Sequence, residues 1–127
     1  MKIFLKIFIC SLLLCNFYGC VAVLFGAAGG AGTAVWLSGK LAQQVPSTYE
    51  NTIRATKEAL KSMNLEIIKE SKTTEIAQIR SHYGDGRKIW IDIHPIGEDS
   101  SGIEVRVGVF GDKVASDVLI RKIISKL

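Results

Sequence analysis

Cysteine is the most reactive residue type in this 127-residue chain, which contains three of them. Cys10, Cys15 and Cys20 all lie within the first twenty residues, in an apolar stretch, and no cysteine follows them. The rest of the chain therefore has no disulfide framework and no thiolate metal site. No histidine lies near the three cysteines in the sequence, so we expect them to bind no metal.

The histidines, carboxylates and serines do not form a catalytic group in the predicted fold. His82 and His94 fall near opposite ends of a predicted hairpin, too far apart to share a metal. Asp92 has no second carboxylate predicted beside it, which leaves no pair for acid–base catalysis. Ser81 has no histidine partner, and residues 108–113 lack the glycine spacing and the Lys-Ser/Thr ending of a phosphate loop. We therefore expect a protein that is not an enzyme and that needs no metal or cofactor.

Four side chains have the composition of an interaction surface: Arg80, Trp90, Arg106 and Phe110. The predicted pairing places Arg80 opposite Trp90, with Arg106 and Phe110 on a neighbouring strand, on the sheet face away from the helices. Trp and Arg together are enriched in binding hot spots, but a cation–π pair that covers an open sheet has the same composition. If this surface is an interface, its partner is another copy, an envelope protein or the membrane surface.

The charge of the chain argues against nucleic acid as a partner. The net charge is +4, from 16 basic and 12 acidic residues. Lys2 and Lys6 are the only charged residues among the first 37, so the remainder is close to neutral. Nucleic-acid binding would need a concentrated basic face, which the composition does not indicate.

Hydrophobic periodicity places the candidate surface in one α+β domain, residues 39–127. Alternating residues predict strands at Lys40–Val45, Leu65–Lys69, Glu75–Tyr83, Arg87–Ile93 and 103–109. A capping box formed by Ser47 and Glu50 starts one helix, and Asp112 caps the last helix. The expected fold is an antiparallel sheet of four to five strands with two helices on one face, in the order (β)αββββα and helix-grip-like.

The clearest local signal is a hairpin that turns through Gly84-Asp85-Gly86. Pairing Tyr83 with Arg87 brings the apolar and small residues of both strands onto one face, as a half-buried sheet requires. The expected buried pairs are Ser81–Ile89, Ile79–Ile91 and Ala77–Ile93. The expected buried helix positions are Tyr49, Ile53, Thr56, Leu60 and Met63 in the first helix, and Val114, Val118, Ile120, Ile123, Ile124 and Leu127 in the second.

The first twenty residues have the organisation of a secretory signal. Lys2 and Lys6 give a positive start, residues 7–15 form an apolar core, and the small residues Gly19 and Cys20 follow at the cleavage position. The apolar core is short for an uncleaved membrane anchor, which is the alternative interpretation.

Residues 17–20, Phe-Tyr-Gly-Cys, resemble the lipobox of a bacterial lipoprotein signal, although Phe17 stands where Leu is commonest and Tyr18 is bulkier than the usual residue. The resemblance implies that residues 1–19 are removed as a signal peptide. It also implies that Cys20 is acylated on its sulfur and then on its new amino group, which anchors the chain in a lipid bilayer. Val21 follows the cysteine in place of Asp, which resembles lipoproteins sent to the outer membrane, facing the periplasm.

Residues 20–38 connect the lipidation site to the domain. The stretch 21–37 carries no charge and is rich in glycine and alanine. One interpretation is a tether, since four glycines disfavour a helix in water. The other is a self-associating membrane helix that uses Gly26-xxx-Gly30, although seventeen residues rise only about 26 Å.

The whole chain is similar to small bacterial lipoproteins of unassigned function, which share a lipobox, a Gly/Ala-rich stretch and one α+β domain. The best-matching part of the domain is the stretch Val105–Lys113, followed by Ser116. The helix-then-hairpin core also resembles the helix-grip domains of outer-membrane assembly lipoproteins. The resemblance implies an envelope lipoprotein that serves as a structural or protein-interaction module. A self-assembling protein that inserts residues 21–37 into a membrane is the alternative.

Overall fold

The structure is a computed structural model, and it describes residues 1–7 and 34–127. Residues 2–7 are helical. The elements that follow in chain order are β1 (Ala34–Leu37), β2 (Lys40–Val45), α1 (Tyr49–Ser62), β3 (Ile67–Lys72), β4 (Ala77–His82), β5 (Lys88–Gly97), β6 (Ser100–Val107) and α2 (Lys113–Ser125). The α+β class is as predicted.

The strands form one antiparallel sheet in the order β1-β2-β6-β5-β4-β3. Both α1 and α2 pack against the same side of it, which we call the inner face. The opposite side, the outer face, is not covered by any element of the described residues. The inner face supplies most of the core, including Ile79, Ile91, Ile103, Val105 and Val107, all fully buried.

The hairpin of β4 and β5 has the predicted register. Ser81 pairs with Ile89, Ile79 with Ile91, and Ala77 with Ile93, and all six are buried. The Tyr83 N–H donates to the Arg87 carbonyl, which closes the predicted turn. Because a shift of one residue would move these side chains to the outer face, the apolar alternation is sufficient to fix the register.

Within residues 1–7 and 34–127 the sheet has six strands, not the four to five predicted, and the additional strand is β1. Its residues Ala34–Leu37 pair with β2, and Trp36 packs against the core. The turn to β2 is tight because Ser38 and Gly39 both have positive φ (48° and 91°), as a two-residue type I′ hairpin turn requires. Four residues that sequence alone assigned to the tether 20–38 therefore belong to the sheet.

Strand β6 begins three residues earlier and ends two residues earlier than predicted. It ends at Val107, and the φ of 76° at Gly108 turns the chain out of the sheet. Val109, predicted as a buried strand residue, is consequently 68 % exposed. The opposite shift occurs at β3, which begins two residues later than predicted and extends to Lys72.

The N-cap of α1 and the buried face of α2 differ from the prediction, whereas the N-cap of α2 is as predicted. Thr48, not Ser47, is the N-cap of α1, because its hydroxyl accepts from the Asn51 N–H. Asp112 caps α2 as predicted and accepts from the Ala115 N–H. On α2, however, the predicted core positions Val114, Val118 and Leu127 are exposed, and the unpredicted Leu119 is fully buried.

Two glycines bring the first turn against the last one. Gly39 and Gly111 both have positive φ (91° and 81°), and their backbones touch. A Cβ built on Gly111 would overlap the Gly39 carbonyl and lie 2.6 Å from its Cα. This contact joins the β1–β2 turn to the chain between β6 and α2. The turn 84–86 lies at the same end of the sheet, which we call the loop end.

Candidate functional site

Three of the four predicted interface residues form a row across the outer face. Trp90 on β5 pairs with Arg80 on β4, as predicted, and with Arg106 on β6. The Arg106 guanidinium lies over the Trp90 ring, 5.7 Å from its centroid, which is a cation–π distance. Trp90 is not part of the core, so its packing is not needed to fill the inner face.

Phe110 does not join this row, contrary to the prediction. The strand has already ended at Val107, and the Asp112 N–H donates to the Val107 carbonyl, which folds residues 108–111 into a turn. The Phe110 side chain is 93 % exposed at the tip of this turn. The row is therefore Arg80–Trp90–Arg106, and Phe110 is a separate exposed side chain at the loop end.

The prediction that Asp92 lacks a neighbouring carboxylate is also wrong. Asp92 pairs directly with Glu104 across β5 and β6, beside the Trp90–Arg106 pair. Each carboxylate has its own cation: Asp92 Oδ1 lies 3.0 Å from Arg80 Nη1, and Glu104 Oε2 lies 4.0 Å from Lys40 Nζ. The two acids are thus held as ion pairs, an arrangement that neutralises their charge rather than one that shares a proton between them.

The histidines lie apart on the outer face, as predicted. His82 pairs with Lys88 and is exposed. His94 Nε2 lies 3.8 Å from Glu104 Oε2, the spacing of an ion pair and longer than a hydrogen bond. This contact raises the pKa of His94, burial opposes that rise, and the nearby Asp92 adds to it. The same contact lowers the pKa of Glu104. Within residues 1–7 and 34–127, no group of three or more His, Cys, Asp or Glu is arranged to hold a metal ion.

Two hollows flank the Trp90–Arg106 pair. The smaller, about 160 Å³, is lined by the ion-paired residues Lys40, Arg80, Asp92 and Glu104 in addition to the pair itself. The larger, about 610 Å³, opens at the loop end between the turns at Gly86 and Gly108. The two hollows together make a shallow groove along the outer face, with the indole and guanidinium between them.

Arg106 is held differently from Arg80. Its Nη2 donates to the Val109 carbonyl, and its Nε is buried without a hydrogen-bond partner. Among the described residues, no carboxylate lies within ion-pair distance of its guanidinium, whereas Arg80 is bound to Asp92. Arg106 is therefore fixed by the indole ring and one carbonyl, with its charge not neutralised by an acid.

The outer face carries an excess of basic over acidic side chains. Strand alternation places five Lys or Arg side chains there against two carboxylates; the five are Lys40, Lys69, Arg80, Lys88 and Arg106, and the two are Asp92 and Glu104. The remaining residues from 34 onward contain nine basic and ten acidic side chains. The charges are therefore distributed unevenly between the outer face and the rest of the domain. The near-neutral overall composition did not predict this distribution.

The predicted lipidation site, Cys20, and the glycine pattern of 21–33 lie outside the described residues. None of the helices in the described part of the chain is long and apolar enough to cross a membrane.

The fold and the site define a small α+β domain with one helix-covered sheet face and one open, basic face that contains a tryptophan–arginine row. Residues 2–126 match the family described as Protein of unknown function (DUF3568), and the chain belongs to that family. A search of the curated proteins found no match for the chain.

Proposed function

We propose that this protein is a lipid-anchored protein of the bacterial cell envelope that serves as a protein-interaction module, with the outer sheet face as its interface. The observation that carries the proposal is the Arg80–Trp90–Arg106 row on a face that no described element covers. Tryptophan and arginine are the residue types most enriched in interface hot spots. The helix-covered inner face stabilises the domain, which leaves the outer face available for a partner.

Support for the anchor comes from the amino-terminal segment. It combines a positive start, an apolar core and Gly19-Cys20 in the pattern of a lipoprotein signal. The family match covers this segment together with the domain. Acylation of Cys20 would place the domain on the membrane surface, and Val21 favours the periplasmic leaflet of the outer membrane. The proposal assigns no catalytic step to the domain.

The extent of β1 favours a lipid anchor over the alternative, a self-assembling membrane helix made of residues 21–37. Because Ala34–Leu37 pair with β2, at most thirteen residues connect Cys20 to the sheet. As a helix they would rise about 20 Å, short of the roughly 30 Å of a bilayer core. A connection between an acylated cysteine and the domain needs no such length.

The anchor is tested by the intact mass of the protein purified from membranes. We expect a mass that lacks residues 1–19 and includes acyl chains, and we expect Cys20→Ser to abolish both changes. Cys15→Ser is the matched control, since Cys15 lies in the segment to be removed and its loss should leave the mature mass unchanged. An unmodified full-length mass for the wild type would refute the lipid anchor.

The interface is tested by photo-crosslinking in cells. A crosslinking amino acid at His82, which is exposed on the outer face and pairs with Lys88, should give a discrete adduct with another protein. The same crosslinking amino acid at Lys61, exposed on α1, is the control and should give none. Trp90→Ala should reduce the adduct from position 82 strongly. Adducts of equal yield from both positions, or none from position 82, would contradict the proposed interface.

A further inference from the structure

We propose that the larger hollow at the loop end binds an acidic segment of a partner protein, with a carboxylate held between Arg106 and Lys88 beside the Trp90 ring. The inference rests on the proposed interface and specifies the chemistry of its partner. It follows from the charge of the outer face, the pairing of its cations and the shape of the groove.

The charge of the outer face selects for an anionic partner. The five basic side chains of that face outnumber its two carboxylates, while the rest of the domain is slightly acidic. A segregated surplus of this kind attracts anionic partners and orients their approach more than it adds to affinity. The outer face is therefore the side on which an acidic partner would arrive.

The pairing of individual cations locates the surplus within that face. Arg80 and Lys40 lie in the smaller hollow and are matched by Asp92 and Glu104. In the described part of the chain, Arg106 and Lys88 have no carboxylate within 4.0 Å, and both line the larger hollow. The larger hollow is also lined by Asp85 and Arg87, but these two form an ion pair with each other. Arg106 borders both hollows, so Arg106 and Lys88 are the cations that remain available for an external acid, and both face the larger hollow.

Arg106 is also oriented before any partner binds. The Trp90 ring lies beneath its guanidinium, and the Val109 carbonyl accepts from Nη2. A guanidinium fixed in this way loses less conformational entropy on binding a carboxylate than a free side chain does. The indole and Val109 give the same hollow apolar walls, which suit an apolar residue next to the acidic one.

The shape of the hollow favours a polypeptide over a bilayer. Trp90 is recessed and only partly exposed, between the turns at Gly86 and Gly108. A flat anionic bilayer would meet the protruding turns and the exposed Phe110 before it reached the indole. An extended peptide is narrow enough to lie in a hollow of about 610 Å³ and reach both cations.

The test uses the full-length protein in detergent micelles with fluorescein-labelled poly-L-glutamate as the probe and fluorescence anisotropy as the readout. We expect the double variant Arg106→Gln/Lys88→Gln to lose about tenfold or more in affinity. The double variant Lys61→Gln/Lys122→Gln removes the same charge from the two helices and should stay within about twofold of wild type. Thermal unfolding of each variant checks its folding, and Lys88→Gln alone, on an exposed side chain, replaces the double variant if Arg106 proves necessary for stability.

Three results would overturn the inference. One is no binding of the probe by the wild type, and another is an equal loss in both double variants, which would indicate an effect of net charge alone. The third is competition by phosphatidylglycerol vesicles at lower concentration than the peptide, with the same dependence on Arg106 and Lys88, which would make the bilayer the occupant. A crosslink from position 82 to a protein in cells, combined with any of these results, would support the interface and refute only the acidic chemistry of its partner.

Discussion

At the scale of single residues, His94 and Glu104 form an ion pair on the outer face, and its contribution to stability depends on pH. The folded-state pKa of His94 lies above its unfolded value of about 6.5, so its stabilising contribution is complete below that value and is lost as pH rises through the folded pKa. The pKa of Glu104 is lowered, so its contribution is lost only as pH falls through that lower value. The pair therefore stabilises the domain most at pH values between the lowered pKa of Glu104 and the raised pKa of His94.

We expect His94→Gln to remove this pH dependence. The free energy of unfolding of the wild type, measured in urea, should fall by up to about 1 kcal/mol between pH 6 and pH 8.5, and the variant should show a flatter profile over that range. His82→Gln is the control, since His82 is exposed and has no carboxylate partner among the described residues. A variant profile parallel to that of the wild type would show that the pair does not contribute.

The contact between Gly39 and Gly111 makes a second prediction at this scale. Gly111→Ala should destabilise the domain by about 2 kcal/mol or more, because the new Cβ would meet the Gly39 backbone and the φ of 81° disfavours alanine. Gly84→Ala is the matched control: no atom lies within 4 Å of its Cβ position, and we expect a change within about 0.5 kcal/mol. Equal unfolding midpoints for the two variants would refute the role of the contact.

At the scale of elements, β1 contributes both hydrogen bonds and core packing. It pairs with β2 along all four of its residues, and Trp36 packs against the core. A chain shortened to begin at Gly39 leaves β2 as an unprotected edge and should be less stable than one that begins at residue 33, by about 2–4 kcal/mol. Urea unfolding of the two shortened chains measures the difference. Equal stability would mean that the domain boundary predicted from sequence is adequate.

The elements that could be predicted from sequence are those with strong local signals. The β4–β5 hairpin has alternating residues on both sides of a glycine-rich turn, and Asp112 directly precedes an apolar helix. Strand β1 gave no such signal, because its four apolar residues continue a stretch without charges, and its turn depends on the positive φ of Ser38. Composition could not distinguish the end of the tether from the start of the sheet.

Only part of the candidate site could be predicted from sequence, because only part of it depends on local signals. The Arg80–Trp90 pair follows from the hairpin register, which is local. The meeting of Asp92 with Glu104 depends on the β5–β6 register, where a shift at Pro95/Gly97 makes the turn hard to place from sequence. The polar residues Glu104 and Arg106, which alternate with buried residues of β6, are the signal that could have indicated a charged outer face.

At the scale of the whole molecule, the polarised charge should be measurable without any partner. A cation exchanger binds the most basic face of a protein, so retention depends on where charges lie as well as on their number. Arg106→Gln/Lys88→Gln should elute at lower salt than Lys61→Gln/Lys122→Gln, although both double variants have the same net charge. Identical elution would indicate that the excess of basic side chains on the outer face does not determine retention.

The position of β1 also has a mechanical consequence. Ala34, where the described part of β1 begins, lies at the end of the sheet opposite the loop end, since it pairs with Gln43 whereas Leu37 pairs with Lys40. Tension between an attachment upstream of Ala34 and a load held near Trp90 would therefore run along the strands. Such a pull shears the β1–β2 hydrogen bonds together, whereas a pull across the sheet would open them one after another. The edge strand β1 would then carry the mechanical load between the amino-terminal segment and the domain.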